Sequence, residues 1–90
     1  MAAQMTPQRM KILIAAKIIE RRGQRITSLS IAELLGAKRH TVSDKLKVMQ
    51  PDFFYYGIPT AHQSRGKSLV YQINSNGNQL LREHVLTEAA

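Results

Sequence analysis

The sequence predicts a small α+β domain built as a three-helix core, a β-hairpin and a C-terminal helix. Two observations carry that reading. Apolar residues recur at helical spacing as far as Met49 and at strand spacing after Pro51, and Gly23, Gly36 and Pro51 stand where such elements would have to stop. Ninety residues hold one core, because a chain this short buries only about 60% of the surface its unfolded form exposes. Hydrophobic residues at 43% and charged residues at 21% suit a globular chain rather than a disordered one. A single domain over 1–90 is therefore expected, with loose ends at about 1–5 and 87–90.

The first helix starts at Thr6 and Pro7, since threonine caps free amides and proline is tolerated at the first helical position. It stops at Gly23, after Arg21 and Arg22 at the negative end of the dipole. Met10, Leu13, Ile14 and Ile18 repeat at helical spacing and are expected to face the core. Ile12 and Ile19 sit off that stripe, which makes the apolar face unusually wide and suggests a covering partner: the C-terminal helix or a second copy of the chain. Arg25 and Ile26 form a very short strand. Thr27 or Ser28 then caps a second helix through Ile31, Ala32, Leu34 and Leu35 that ends at Gly36.

A third helix runs from Arg39 to Met49 with Val42, Leu46 and Met49 inward, and Pro51 stops it. "DFFYYGIP" has strand propensity, and "SLVYQI" alternates with Leu69, Tyr71 and Ile73 on one face. Between them "TAHQSRGK" makes a basic tip, so the two runs read as a β-hairpin. Asn74 or Ser75 caps a last helix carrying Leu80, Leu81, Val85 and Leu86.

Thirteen Lys and Arg against six Asp and Glu give a net charge of +7, which favours a polyanionic partner such as nucleic acid or an acidic lipid surface. The apolar run Ile12 to Ala16 is broken by Lys17 and is too short for a signal sequence or a membrane span. Without cysteine there is no disulfide scaffold and no thiolate metal site, which is compatible with the cytoplasm.

Small Ala32 lies four residues before Gly36, and Gly36 permits a left-handed turn. Val42 follows the glycine by six residues. In "GKSLVYQINSNGNQLL" a basic tip leads into the aromatic-containing strand of Tyr71 and Ile73, then a capping Asn74, Gly77 three positions on, and the pair Leu80 and Leu81. In this order, over about residues 6 to 86, these features resemble the winged helix-turn-helix domains of small bacterial and phage transcriptional regulators. The resemblance implies a recognition helix at 39–49 that enters the major groove by its N-terminal end, and a wing at 59–67 lying on the backbone or in the minor groove.

On the third helix Arg39, His40, Ser43, Asp44 and Lys47 share the face opposite Val42, Leu46 and Met49. Arg39 has the reach for guanine O6 and N7, a pairing that contributes about 1–3 kcal/mol of discrimination, or else it holds a phosphate. Lys38 in the turn, Thr41 at the helix start and Lys45 on the flank are placed for phosphates. Asp44 is out of character on a face meant for phosphates. It either accepts from a cytosine N4 amine or braces His40 or Lys47 across a turn. At the hairpin tip Arg65 and Lys67 flank Gly66 as wing contacts, with His62, Gln63 and Ser64 as helpers. "FFYY" is either core and dimer packing or a stacking platform for single strands.

His40, His62 and His84 are scattered over three elements without ligand spacing, and no phosphate-cradling glycine loop occurs. The expectation is a non-enzyme with no cofactor and no metal. Six cations against two acids between residues 38 and 67 leave +4 on the motif and wing. The expected partners are double-stranded DNA and a second copy in a homodimer, with no membrane and no small-molecule effector identified. Two alternatives remain: a winged-helix module docking to a larger protein assembly, and an RNA or single-strand binder.

Overall fold

The computed structural model describes residues 5–55, 57–59 and 69–89, with only the backbone at 59 and 85–89. It is an α+β domain in the order α1 (Pro7–Arg21), α2 (Ser28–Leu35), α3 (Arg39–Met49), β1 (Ile58–Pro59), β2 (Leu69–Val70) and α4 (Ser75–Ala89). No described helix is long and apolar enough to cross a membrane. Met5 packs against the core, and α4 extends to Ala89.

Caps form as the residue types dictate. The Thr6 hydroxyl accepts from the Arg9 N–H at 3.2 Å, with Pro7 opening α1. Thr27 and Ser30 form a reciprocal box on α2: Thr27 Oγ1 accepts from Ser30 N–H at 3.0 Å while Thr27 N–H donates to Ser30 Oγ at 2.9 Å. Serine fills the place usually held by glutamate or glutamine. Asn74, not Ser75, caps α4, its Oδ1 accepting from Gly77 N–H at 2.9 Å.

β1 and β2 pair antiparallel, Ile58 with Val70 and Pro59 with Leu69. The strand that continues from β2 then ties down two other segments through single bridges, Tyr71 to Ile26 and Ile73 to Phe54. The aromatic run is therefore not a continuous strand. Phe54 is fully buried and meets Tyr71 edge-on with ring centroids 6.3 Å apart, while Tyr55 is exposed.

Buried Asn74 locks this region together, with Nδ2 donating to the Pro51 and Asp52 carbonyls at 2.7 and 3.0 Å. Gly77 is required beside it, because a Cβ there would lie 2.5 Å from the Phe53 carbonyl oxygen.

The core draws Val42, Leu46 and Met49 from α3 and Ile31 and Ala32 from α2. Leu34 and Leu35, at the end of α2, are exposed. The orientation of α1 also differs from the expectation. Ile12, Leu13, Ala15, Ala16 and Ile19 are buried, whereas Ile14 is half-buried and Ile18 is 38% exposed. Ile12, Ala15, Ala16 and Ile19 are themselves spaced i, i+3, i+4, i+7, so spacing allowed two centres for the stripe. Packing against α2, α3 and α4 selects the one that leaves Ile14 and Ile18 at the edge. Ile12 and Ile19 are thus covered within one chain.

Candidate nucleic-acid interface

Gly36 ends α2 in the left-handed conformation at φ 66°, and the Ala37 N–H returns to the Ala32 carbonyl at 2.9 Å. The two-residue link Ala37–Lys38 then starts α3 without a side-chain cap. The Lys38 carbonyl takes the Val42 N–H at 3.2 Å as the first intrahelical bond, but a lysine side chain has no acceptor to offer, and among the described residues no side chain caps the first amides of the helix. The positive end of the α3 dipole therefore stands beside two exposed cations, Lys38 and Arg39.

The inward stripe of α3 is dry: Val42 is 2% exposed and Leu46 and Met49 are fully buried. Opposite it, Arg39, His40, Asp44 and Lys47 are exposed and Ser43 is half-buried. These five residues line one groove of about 550 Å³ together with Ser28, Leu69 and Tyr71. Lys38 and Thr41, both exposed, and half-buried Lys45 lie outside that lining. The groove lining thus takes in the residues expected to meet bases and leaves out Lys38, Thr41 and Lys45, which are expected to meet phosphates.

Ser28, Leu69 and Tyr71 were not foreseen as groove residues. Leu69 and Tyr71 read as one face of a strand, and nothing in their alternation says that the strand passes beside α3. Burial raises the Tyr71 phenol above its usual pKa of 10.0. Among the described residues Asp44 makes no hydrogen bond or ion pair, so bracing of His40 or Lys47 is not seen.

β1 and β2 pair antiparallel through Ile58 and Val70 and through Pro59 and Leu69, and residues 60–68 lie outside the described residues. Arg65 and Lys67, with His62, Gln63 and Ser64, therefore have no position here.

Compared with known proteins, the chain matches no family model, no curated protein and no solved structure, so the meaning of this surface rests on its own geometry and charge.

Proposed function

We propose that the protein is a sequence-specific double-stranded DNA-binding protein of winged helix-turn-helix type, a small transcriptional regulator acting in a bacterial cytoplasm. The observation that supports this best is the α2–Gly36–α3 arrangement. It leaves the N-terminus of α3 without a side-chain cap and sets Arg39, His40, Ser43, Asp44 and Lys47 in one groove opposite a dry apolar stripe. A helix presented in this way enters the major groove end-first. Backbone amides and flanking Lys38, Thr41 and Lys45 hold phosphates, and the groove face reads base edges. Arg65 and Lys67 add wing contacts to the backbone or minor groove. No reaction and no cofactor is assigned.

Asp44 sharpens the reading. An unpaired carboxylate among phosphates is unfavourable unless a base amine donates to it, and in the major groove cytosine N4 and adenine N6 do so. A two-fold pair of domains would double the reading length, with half-sites about 34–36 Å apart. We keep the homodimer on that ground, formed through a surface other than Ile12 and Ile19, which are buried within one chain.

Selection of bound duplexes from a random pool tests the function. Enrichment of one motif, palindromic if the protein is dimeric, is the expected result. If no sequence is enriched and duplex binding is absent at low salt, the DNA reading fails and a protein-docking module takes its place.

A further inference from the structure

A second groove, sharing no lining residue with the one on α3, opens between α1 and α4 and has a volume of about 640 Å³. Its apolar ground is Ile14 and Ile18 from α1 and Leu81 from α4, and its cations are Lys17 and Arg21 on one wall and Arg82 on the other. Lys17 is engaged: its Nζ donates to Glu20 Oε1 at 2.8 Å and to Asn78 Oδ1 at 3.0 Å. Among the described residues the guanidiniums of Arg21 and Arg82 have no hydrogen bond or ion pair. One from each helix, they line the same cleft beside an isoleucine that is 38% exposed.

We propose that this groove binds a small apolar carboxylate, its chain or ring lying on Ile14, Ile18 and Leu81 and its carboxylate between Arg21 and Arg82. Charge decides the sign of the occupant. Both free cations ask for an anion, and guanidinium matches carboxylate in paired hydrogen bonds. A second copy of the chain packing groove to groove would bring two sets of these cations together in a protein of net charge +7, which is repulsive.

Length decides its size. On α1 the apolar ground spans about one turn, Ile14 to Ile18, about 6 Å, and the helix ends at Arg21. A docked partner helix needs anchors at i, i+3 or i+4, and i+7, which is about twice that run. A volume of about 640 Å³ falls within the roughly 300–1,000 Å³ typical of small-ligand sites.

The test needs no DNA, so its outcome is independent of the function proposed above. Decanoate, below its micelle concentration, is titrated into the full chain by calorimetry, with decanol and decylammonium as neutral and cationic probes of equal length. The expected result is saturable one-to-one binding of decanoate, with both other probes at least about tenfold weaker. Arg21→Gln and Arg82→Gln should each weaken decanoate by about tenfold, the scale of one charge-assisted hydrogen bond, and leave decanol unchanged. Ile18→Gln should weaken both decanoate and decanol. Lys11→Gln, on an exposed residue outside the groove, should change nothing. Circular dichroism checks that each variant keeps its helices, and the substituted arginines and Ile18 are all exposed. The proposal is overturned by no saturable binding, by decanol or decylammonium binding as tightly as decanoate, by losses that are the same in Lys11→Gln, or by an acidic amphipathic peptide binding tighter than decanoate.

Discussion

Two grooves on this domain carry arginine and lysine, but they present the cations on different ground. On α3 they stand on the helix face opposite the buried stripe of Val42, Leu46 and Met49, and the groove's apolar lining, Leu69 and Tyr71, comes from β2 and the residue after it. Between α1 and α4 they surround apolar side chains that remain partly open to solvent, Ile14 and Ile18. The first arrangement suits a partner that is charged along its whole outside, as a duplex is, and the second suits a ligand charged at one end. Cations alone therefore do not distinguish one binding chemistry from another, and what lies beneath them does.

Salt gives the largest expected effect and separates the two surfaces. If about six cations, Lys38, Arg39, Lys45, Lys47, Arg65 and Lys67, meet phosphates, the slope of log affinity against log salt should be about −5, from −0.9 per contact. That corresponds to about a thousandfold loss of duplex affinity between 50 and 200 mM salt. Fluorescence anisotropy on a labelled duplex measures it, and a slope near zero would remove the electrostatic basis of the DNA reading. Decanoate, with one charge, should lose only a few-fold over the same range.

Core substitutions come next and test the orientation of α1. Leu46→Ala and Ile19→Ala remove fully or nearly fully buried side chains and should each cost about 2–5 kcal/mol in urea unfolding. Ile18→Ala, at a 38% exposed position, should cost well under about 1.5 kcal/mol. Equal costs at Ile18 and Ile19 would mean that the helix is rotated from the position described, and with it the apolar ground of the second groove.

The contrast between α3 and α1 also shows what a sequence can make legible. On α3 the apolar stripe is narrow and polar residues crowd both sides, so spacing alone identified Val42, Leu46 and Met49 and, by subtraction, the groove face. On α1 the run Ile12 to Ala16 is apolar all round, and two stripes fit the same period. Only the positions of α2, α3 and α4 choose between them.

Local chemistry was readable wherever a residue acts on its own neighbours: Thr6 and Pro7 at one helix start, Gly36 at a stop, Asn74 and Gly77 at another start. Contacts made across the chain were not. Asn74 was readable as a cap, whereas its amide bonds to the Pro51 and Asp52 carbonyls, 23 and 22 residues away, follow only from the fold.

A smaller effect distinguishes reading from holding within the α3 groove. Arg39→Ala should reduce the ratio of specific to nonspecific duplex affinity, by about 1–3 kcal/mol if it pairs with a guanine, whereas Lys45→Ala should weaken both duplexes alike. Asp44→Ala should raise nonspecific affinity, because it removes a negative charge, while lowering the preference at one base pair. Were Asp44→Ala to tighten every duplex equally, the carboxylate would read no base. Binding to matched and single-substituted duplexes at fixed salt provides the comparison.

The smallest expected effect concerns Tyr71, which belongs to the core and to the α3 groove at once. Its ring is 2% exposed and packs edge-on against Phe54, yet it forms part of the groove lining. Burial disfavours the phenolate, so the folded-state pKa lies above the 10.0 of an unperturbed tyrosine. As pH rises the unfolded chain loses the phenolic proton first, and the folded state holds more protons in that interval. Stability then falls with pH. The contribution is complete below pH 10 and is lost as pH climbs from there through the folded-state pKa. Lysines titrate in the same range, so the useful quantity is the difference between the wild type and Tyr71→Phe, which keeps the ring and removes the proton. Thermal melts from pH 8 to 11 should run parallel for the two proteins up to about pH 10. Above it the wild type should lose stability faster. Parallel curves throughout would mean that Tyr71 reaches solvent through the α3 groove, and the wall of that groove would then be open where the structure has it closed.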